Sequence, residues 1–333
     1  MATSVVYFHR KRGPRHFSLE RVFSVVREHL PDDIQPRVEC CPRPSEGFWN
    51  RVINTLWARQ HQGDVNHITG DVHYVATLLS KRKTILGIAD CVSLERSHGL
   101  RWWLLWFFWY WLPEKRCARI TVISEFTKTE VLRHLHCDPT KIEVIHCPLP
   151  EEYRPAPRPF RSDAPVVLQI GTGRHKNVEG LAEALKGISC SLEIVGALSP
   201  AQQALLASKC VKYSNHQAVS DEELRSLYVA CDLVVFASTY EGFGLPIIEA
   251  QAIGRPVVTS NACSMPEVAG GAAVLVDQND PSSIRDGILR VIQDQGYRES
   301  LVQKGYANVR RFDATVIANR YAQLYRDVVQ ETG

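Results

Sequence analysis

Two glutamates and a glycine-rich turn lie close together in the segment TYEGFGLPIIEAQAIGRPVVTS, residues 239–260. Seven residues separate Glu241 from Glu249, and Pro246 stands between them where a helix is expected to begin. Carboxylates accept hydrogen bonds from hydroxyl groups, so a pair with this spacing is suited to hold a polyhydroxylated ligand. The alternative is that both glutamates have only a capping and surface role.

The residues around this turn predict where it lies in the fold. The preceding run DLVVFAS (232–238) is almost continuously apolar, as buried parallel strands are. Open α/β sheets bind ligands beyond the carboxyl ends of their strands. Gly242 and Gly244 allow close backbone approach, and the amides at the start of the next helix attract anions. These features together predict a site for a molecule that carries phosphates and hydroxyl groups, such as a sugar nucleotide.

A second glycine turn follows another strand-like run in LQIGTGRHKNVEGL, residues 168–181. Gly171 and Gly173 fit the start of the dinucleotide-binding pattern G-x-G-x-x-G, but its sixth position is Lys176, which argues against a pyridine-nucleotide enzyme. Arg174 and Lys176 place cations in the turn, which suits a phosphate that gains charge as it leaves. A solvated basic turn is the alternative.

Strand-length apolar runs alternate with helical patterns, which predicts parallel sheets with helices on both faces. The stretch PLPEEYRPAPRPFRSDAP (148–165) holds six prolines and is typical of an extended linker. We expect a Rossmann-like acceptor-binding domain over 1–150 and a linker over 151–164. A second Rossmann-like domain, for the nucleotide sugar, is expected over 165–310. A C-terminal helix over 311–333 is expected, with a possible return to the first domain. Strands are expected at 4–8, 65–69, 84–89, 119–124, 141–146, 164–171, 191–196, 232–238, 255–260 and 272–276, and helices at 17–30, 127–136, 177–186, 221–230, 246–253 and from 281 onward.

The segment RWWLLWFFWYWL (101–112) contains five of the seven tryptophans. Its 11 apolar residues fall short of the roughly 20 that a helix needs to cross a bilayer. Two interpretations stay open. The segment is either a buried helix of the first domain or an interfacial helix that lies on a membrane, where tryptophan is favoured.

Charge and cysteine usage exclude several classes of protein. A formal net charge of +3 over 333 residues gives no whole-protein case for nucleic-acid binding. The ten cysteines include no C-x-x-C pair, and the histidines lack zinc-ligand spacing, so no metal site is expected. We expect no signal peptide at the start of the chain, and reduced thiols in a cytoplasmic protein.

Several motifs occur in the order found in one family. EGFGLPIIEA resembles the E-x7-E motif of the retaining family 4 glycosyltransferases with the GT-B fold, and LQIGTGRHKNVEGLAEAL resembles their phosphate-binding strand and turn. ITVISEFTKTEVL with KIEVIHCPLP is similar to the segment before their interdomain linker, and VTSNACSMPEVAGGAAVLVDQNDP to their closing stretch. The resemblance implies an α/β protein of two doubly wound Rossmann-like domains facing a central cleft.

The resemblance also implies roles for residues of the second domain. Glu241 would face the donor sugar as a positioning and stabilising group, and Lys176 would neutralise the diphosphate. Glu249 would hold the ribose hydroxyls. Retention of the anomeric configuration and independence of metals and cofactors are implied as well. The other residues implied to contact the donor are Gly171, Thr172, Arg174, Gly242, Phe243, Gly244 and Leu245.

The sequence departs from the family pattern in two places. Ala89 stands before Asp90, where many relatives have a histidine, and Thr172 replaces the arginine that usually follows the first glycine of the phosphate turn. Acceptor or cleft contacts are expected from residues after two first-domain strands, as well as from Asp90. These are Arg12 and Gly13 in HRKRGPRHFS (9–18), and Gly70, Asp71 and His73 in NHITGDVHYV (66–75).

The sequence thus predicts a hexosyltransferase that moves sugar from a nucleotide-sugar donor to a glycan or lipid-linked glycan acceptor. We expect it to act in surface polysaccharide synthesis, in the cytoplasm or peripherally on the inner face of the cell membrane, through segment 101–112. Two other classes stay open: a sugar-nucleotide 2-epimerase, and a non-catalytic protein that binds a sugar nucleotide or glycan.

Overall fold

The computed structural model describes residues 2–11 and 18–332. Its contacts divide them into two compact units. Unit 1 comprises the described residues up to Pro148 together with those from Asp313 onward, and unit 2 comprises Leu149–Phe312.

Unit 1 is built on a parallel sheet of six strands in the order β2-β1-β3-β4-β5-β6. Its strands are β1 (Thr3–His9), β2 (Ile34–Cys40), β3 (Val65–Ile68), β4 (Thr84–Ile88), β5 (Arg119–Val122) and β6 (Ile142–Val144). Its helices are α1 (Ser18–Glu28), α2 (Phe48–Gln60), α3 (Val92–Glu95), α4 (Gly99–Leu105), α5 (Leu112–Lys115), α6 (Glu125–Leu135) and α14 (Ala314–Gln330). Short 3-10 helices cover His73–Leu78, Lys81–Lys83 and Pro139–Lys141, and a π-helix covers Trp106–Trp111.

Different helices cover the two faces of this sheet. On one face, α1 and α14 pack against β1, and the ring of Tyr7 lies 6.0 Å from Phe23 and 6.2 Å from Tyr325. On the other face, one core joins Phe8 and Ile68 of the strands to side chains from α2, residues 73–78, residues 99–115 and α6. The C-terminal helix therefore completes the layer that covers unit 1.

Unit 2 repeats the plan with a parallel sheet in the order β12-β11-β10-β7-β8-β9. Its strands are β7 (Val166–Ile170), β8 (Ser191–Val195), β9 (Tyr213–His216), β10 (Leu233–Phe236), β11 (Val257–Ser260) and β12 (Val274–Val276). Its helices are α7 (Val178–Leu185), α8 (Pro200–Ser208), α9 (Asp221–Ala230), α10 (Leu245–Ile253), α11 (Met265–Ala269), α12 (Pro281–Gln293) and α13 (Gln295–Asn308), with 3-10 turns at Arg174–Lys176 and Val309–Phe312.

The predicted α/β class, with two doubly wound parallel sheets, is confirmed. Each expected strand and helix is present within a few residues of its expected bounds, and the helix expected over 17–30 is observed over Ser18–Glu28. The sequence analysis missed β2 and α2. The β2 strand IQPRVEC lies at the sheet edge with most residues exposed and contains a proline, so it lacks the apolar run of a buried strand. It also missed the half-exposed edge strand β9 and the helices α8 and α11.

The proline-rich residues 151–164 contain no helix or strand and lie in unit 2. Tyr153 is buried with its ring 5.8 Å from that of Tyr228, and the Ala156 amide donates to the carbonyl of Ile253. The Arg161 side chain donates to the Asp232 carboxylate at 2.8 Å. Tyrosine burial and backbone pairing, rather than secondary structure, fix the path of this stretch.

The aromatic segment, residues 101–112, has one side in the core and one side in solvent. Trp109 and Tyr110 are buried, whereas Trp103 is 59% exposed and Phe108 is 44% exposed. One side of the segment is therefore core, as the first interpretation expects, and membrane contact by the exposed side stays a prediction. No described helix is long and apolar enough to cross a bilayer.

Candidate donor site

Two neighbouring strands of unit 2 position the candidate site. β10 pairs in parallel with β7, so the turns that follow them emerge at the same edge of the sheet. The turn after β7 carries Lys176 and leads into α7. The turn after β10 carries Glu241 and leads into α10. The structure therefore brings together the two motifs that the sequence analysis singled out.

Lys176 and Glu241 form an ion pair at this edge. Lys176 Nζ lies 2.6 Å from Glu241 Oε1, and the two side chains are 18% and 14% exposed. The ammonium also lies 4.7 Å from the centroid of the Phe236 ring. His175 Nε2 lies 4.0 Å from the same carboxylate oxygen and was not singled out from the sequence, because histidine in a polar turn gives no distinctive signal. The site thus holds one lysine cation paired with one carboxylate, with a histidine ring beside them.

The first turn needs glycine at position 171. Gly171 has φ of +86°, and a Cβ there would lie 3.0 Å from the aliphatic carbons of Lys176. The Gln169 side chain donates a hydrogen bond of 3.0 Å to the Lys176 carbonyl, which stabilises the turn. Asn177 caps α7 and also donates to the carbonyls of Ala237 and Gln278. Lys176 therefore projects from a backbone that several side chains fix.

The second turn bends sharply into α10. Gly244 has φ of +111°, Leu245 is the first residue of the helix and Pro246 the second. Ser264 Oγ lies 2.9 Å from the carbonyl of Glu241 and 2.7 Å from that of Phe243, so it can donate to either. The start of a helix carries partial positive charge, which adds to that of Lys176.

Glu249 lies inside the protein, on the first full turn of α10. Glu249 is only 5% exposed, and its Oε2 accepts a hydrogen bond of 2.7 Å from the Tyr228 hydroxyl. Burial and the Glu249 charge raise the pKa of Tyr228 well above its usual range, so the phenol keeps its proton and donates it. The sequence analysis missed this partner of the candidate Glu249, because a tyrosine within an amphipathic helix is ordinarily a core residue.

The remaining donor-side candidates differ in their exposure. Arg174 is exposed in the 3-10 turn before Lys176. Thr172 Oγ1 donates to the carbonyl of Ala197 at 2.7 Å, which ties the turn to the loop after β8. Gly242 and Phe243 are buried, and the Phe243 ring packs edge-on against Phe312 at 5.7 Å. These three positions shape the turns, while Arg174 presents a charge to solvent.

The acceptor candidates of unit 1 have mixed positions. Arg12 and Gly13 lie outside the described residues. Gly70 sits against the backbone, because a Cβ there would be 2.9 Å from the Arg10 amide. Asp90 Oδ1 accepts from the Val92 amide at 3.0 Å.

Asp71 and His73 hold the aromatic segment in place. Asp71 Oδ1 accepts 2.9 Å from Trp109 Nε1, and His73 Nδ1 lies 2.8 Å from the Trp109 carbonyl. The other ring nitrogen of His73 lies 3.1 Å from the Gly87 carbonyl. These contacts give Asp71 and His73 a structural role, which their positions in the sequence did not indicate.

One polar cluster of unit 1 has the composition of a metal site. Ligand atoms of Glu95, Glu130 and His134 lie within 4.8 Å of one another, a grouping that sequence spacing did not predict because Glu95 is distant in the chain. The Arg133 guanidinium already pairs with both carboxylates, at 2.8 Å from Glu130. An arginine between the carboxylates supplies the positive charge that a metal ion would bring, so the cluster is satisfied as an ion-pair network.

Family models match both halves of the chain. The model described as Glycosyltransferase Family 4 matches residues 4–153, and that described as Glycosyl transferases group 1 matches residues 151–308. The chain belongs to the group 1, family 4 glycosyltransferases. The predicted membership of the family 4 glycosyltransferases is thereby confirmed.

Curated relatives match over shorter stretches. The O-antigen chain mannosyltransferase B of Escherichia coli is 47% identical over 94 residues, which are 28% of this chain and 25% of the relative. A D-inositol 3-phosphate glycosyltransferase of Corynebacterium kroppenstedtii is 31% identical over 112 residues, 33% of this chain and 25% of the relative. The matches thus span about a quarter of the length of these two proteins.

Solved structures resemble the chain over nearly its whole length. The Anabaena protein Alr3699/HepE, in complex with UDP and glucose, has a TM-score of 0.74 at 16% identity, covering 97% of this chain and 99% of that one. WaaG, a glycosyltransferase involved in lipopolysaccharide biosynthesis, has a TM-score of 0.72 at 14% identity, covering 96% and 99%. At these identities the likeness shows the fold, and the predicted GT-B architecture is confirmed.

Proposed function

We propose that the protein transfers a sugar from a nucleotide-sugar donor to a glycan or lipid-linked glycan, with retention of the anomeric configuration. The observation that carries the proposal is the Lys176–Glu241 pair, 2.6 Å apart beside the start of α10. A nucleotide sugar needs a cation for its diphosphate and a hydrogen-bond acceptor near its sugar, and this corner of unit 2 provides both.

Charge stabilisation is the main chemical contribution that these residues can make. As the bond between the anomeric carbon and the phosphate oxygen breaks, negative charge develops on the departing diphosphate. Lys176 and the amides at the start of α10 would stabilise it, as preorganised charges do in other transferases. The acceptor hydroxyl would attack from the same face and pass its proton to the leaving phosphate oxygen. Glu241 would position the sugar and stabilise positive charge at the anomeric carbon.

Glu249 would bind the ribose of the nucleotide. Its carboxylate has one oxygen fixed by Tyr228, which leaves the group oriented before the ligand arrives. A buried carboxylate held by a phenol loses little conformational freedom on binding, which favours affinity. We assign Tyr228 a positioning part in this site.

Lys176 and the helix amides supply the charge that a divalent metal would supply, and we therefore propose a metal-independent reaction. The 47% identity to an O-antigen chain mannosyltransferase favours a mannosyl donor and a part in surface polysaccharide synthesis. An acceptor of this kind would be reached at the inner face of the cell membrane, with the aromatic segment in contact with the membrane surface.

The proposal is tested by incubating the full chain with GDP-mannose, UDP-glucose and UDP-N-acetylglucosamine in EDTA, with mannose-terminated oligosaccharides as acceptors. We expect one donor to give a lengthened glycan whose new anomeric centre matches the donor's by NMR. Inverted product would overturn retention, and a product that appears only with added metal would overturn metal independence. Release of a C2-epimerised sugar would favour the epimerase instead. Tight donor binding without turnover of any acceptor would favour the binding protein.

A further inference from the structure

Exposed apolar side chains are concentrated on two stretches of unit 1. Eight of the twelve large apolar residues that the described structure exposes lie in α2 or in residues 100–108. Their exposed fractions run from 42% to 76%. They are Phe48, Trp49, Ile53 and Leu56 of α2, and Leu100, Trp103, Leu104 and Phe108. We call this set the two-helix surface.

The apolar stripe of α2 faces away from the core. Trp49, Ile53 and Leu56 recur at four- and three-residue spacing, which puts them on one side of the helix. The opposite side is buried through Asn54 and Ala58. A helix on the surface of a globular protein ordinarily turns polar residues outward, so α2 carries an apolar face that the described residues of unit 1 leave uncovered.

Both stretches lie on the same face of the unit 1 sheet. Ala58 of α2 and Trp109 of the aromatic segment belong to one core. The Arg51 guanidinium carbon lies 4.4 Å from the centroid of the Trp109 ring, and the Tyr74 ring lies 5.0 Å from it. Asn54 donates 2.9 Å to the Tyr74 hydroxyl. These contacts join the two stretches into one layer, and both expose apolar side chains on its outer side.

The charged residues within the two stretches are arginines, and exposed glutamates flank them at Glu46 and Glu95. Residues 48–60 and 96–112 contain no aspartate or glutamate but four arginines, at positions 51, 59, 96 and 101. Arg59, Arg96 and Arg101 are exposed. All seven tryptophans of the chain lie in these two ranges. Tryptophan at the headgroup level and arginine near lipid phosphates are the composition of a membrane-interfacial surface.

We propose that the two-helix surface docks unit 1 on an anionic lipid bilayer, with α2 as a second contact beside the aromatic segment. The proposal rests on the proposed function, since it presents the protein to a lipid-linked acceptor. The apolar side chains of both stretches would enter the boundary between headgroups and acyl chains, and the arginines would pair with headgroup phosphates.

Vesicle binding tests this proposal independently of catalysis. The full chain is mixed with vesicles of phosphatidylglycerol and phosphatidylethanolamine, or of phosphatidylcholine alone, and bound protein is measured by flotation. Because every tryptophan lies in the two ranges, quenching of intrinsic emission by brominated lipid reports on this surface. We expect binding and quenching with the anionic vesicles, and weakening as salt is raised.

The α2 contribution is tested with the double variant Trp49→Ser/Leu56→Ser. Trp49 is 72% exposed and Leu56 is 49% exposed, so replacing them leaves the core intact. We expect vesicle binding to weaken by about tenfold or more. The matched control is Leu275→Ser/Val316→Ser, which alters side chains 43% and 51% exposed elsewhere and should bind like the unaltered protein.

Three results would overturn the docking proposal. They are no binding to anionic vesicles, equal binding by the α2 variant and the control, and a concentration-dependent dimer in solution that the α2 variant abolishes. The last result would assign the surface to a second copy of the chain. Nucleoside diphosphate binding is measured on the same preparations. Protein that binds nucleotide but not vesicles would contradict docking alone, and the reverse result would contradict the donor site alone.

Discussion

Lys176 and Glu241 are opposite charges that share a partly buried corner of unit 2, where each is the other's partner. A donor diphosphate entering this corner would compete with the carboxylate for the ammonium. The two residues should therefore differ in what they contribute: the cation to binding of the diphosphate, and the carboxylate to events at the sugar.

Replacing Lys176 tests whether the cation contributes to binding of the diphosphate. Lys176→Met should weaken binding of both a nucleoside diphosphate and inorganic pyrophosphate, because each loses a charged hydrogen bond that contributes about 1.5–3 kcal/mol. Titration calorimetry measures both ligands. Lys186→Met removes an exposed lysine of the same unit and serves as the control. Unchanged pyrophosphate affinity in Lys176→Met would remove the lysine from the diphosphate site.

Glu241→Gln tests whether the carboxylate contributes to events at the sugar rather than to diphosphate binding. Removing the competing carboxylate frees Lys176 for phosphate, so nucleoside diphosphate affinity should stay the same or rise. Turnover should fall by at least about tenfold, because the charge next to the developing cation is lost. Calorimetry and a transfer assay are compared on one preparation. A fall in affinity that matches the fall in turnover would contradict the assignment.

The ribose assignment predicts a ligand-specific effect. Glu249→Ala should weaken nucleoside diphosphate binding by about 1.5–3 kcal/mol yet leave pyrophosphate binding unchanged, since pyrophosphate has no ribose. Tyr228→Phe keeps the carboxylate and should give a smaller effect in the same direction, because it only releases the oriented oxygen. Equal losses for the two ligands would show that the substitution disturbs α10 as a whole.

At the scale of elements, buried strands with continuous apolar runs were predictable and exposed elements were not. DLVVFAS predicted β10, and the positions of the two glycines and Pro246 predicted the turn into α10. Edge strand β2, with Pro36 and exposed side chains, gave no such signal. The apolar stripe of α2 points outward, so a pattern sought for core-facing residues does not find it. Glu249 and its partner Tyr228 are 21 residues apart on different helices, and sequence spacing does not reveal that contact.

The C-terminal helix α14 is fixed to unit 1 by a buried polar chain. Tyr325 Oη lies 2.9 Å from His67 Nδ1 and 2.8 Å from the Tyr7 hydroxyl. Tyr325→Phe removes the central hydroxyl and leaves two buried polar atoms without it. We expect the free energy of unfolding to fall by about 1–3 kcal/mol. Urea unfolding followed by tryptophan emission measures it, because all tryptophans lie in unit 1.

The matched control for this variant is Tyr297→Phe, which removes a hydroxyl from a half-buried tyrosine of unit 2. It should leave the free energy of unfolding measured from the tryptophan signal unchanged to within a few tenths of a kcal/mol. If Tyr325→Phe behaves like this control, the polar chain does not contribute to holding α14.

At the scale of the whole molecule, the net charge is only +3. We therefore look to individual buried groups for the pH dependence of stability. His67 is completely buried, and burial lowers its pKa from 6.5 to about 3. Between these values the unfolded chain binds a proton that the folded chain does not. Stability therefore falls as pH drops from about 6.5 towards 3, and it is fully present above that range.

The contribution of His67 to this loss has a predictable slope. One proton changes the free energy of unfolding by at most about 1.4 kcal/mol per pH unit. Urea unfolding of unit 1 at pH 7.5, 6.0 and 5.0 should show the decline, and His67→Gln should make it shallower even though it lowers stability at neutral pH. A variant with the same slope as the unaltered protein would assign the acid sensitivity to other groups.

The central claim is that the corner formed by Lys176, Glu241 and the start of α10 binds the diphosphate of a nucleotide sugar. The most direct test is calorimetric titration of the full chain with UDP, GDP, dTDP and ADP in EDTA, with the Lys176→Met variant alongside. The account predicts that at least one of the four binds with a stoichiometry of one and that the variant binds it at least about tenfold more weakly. No binding of any of the four, or equal binding by the variant, would contradict it.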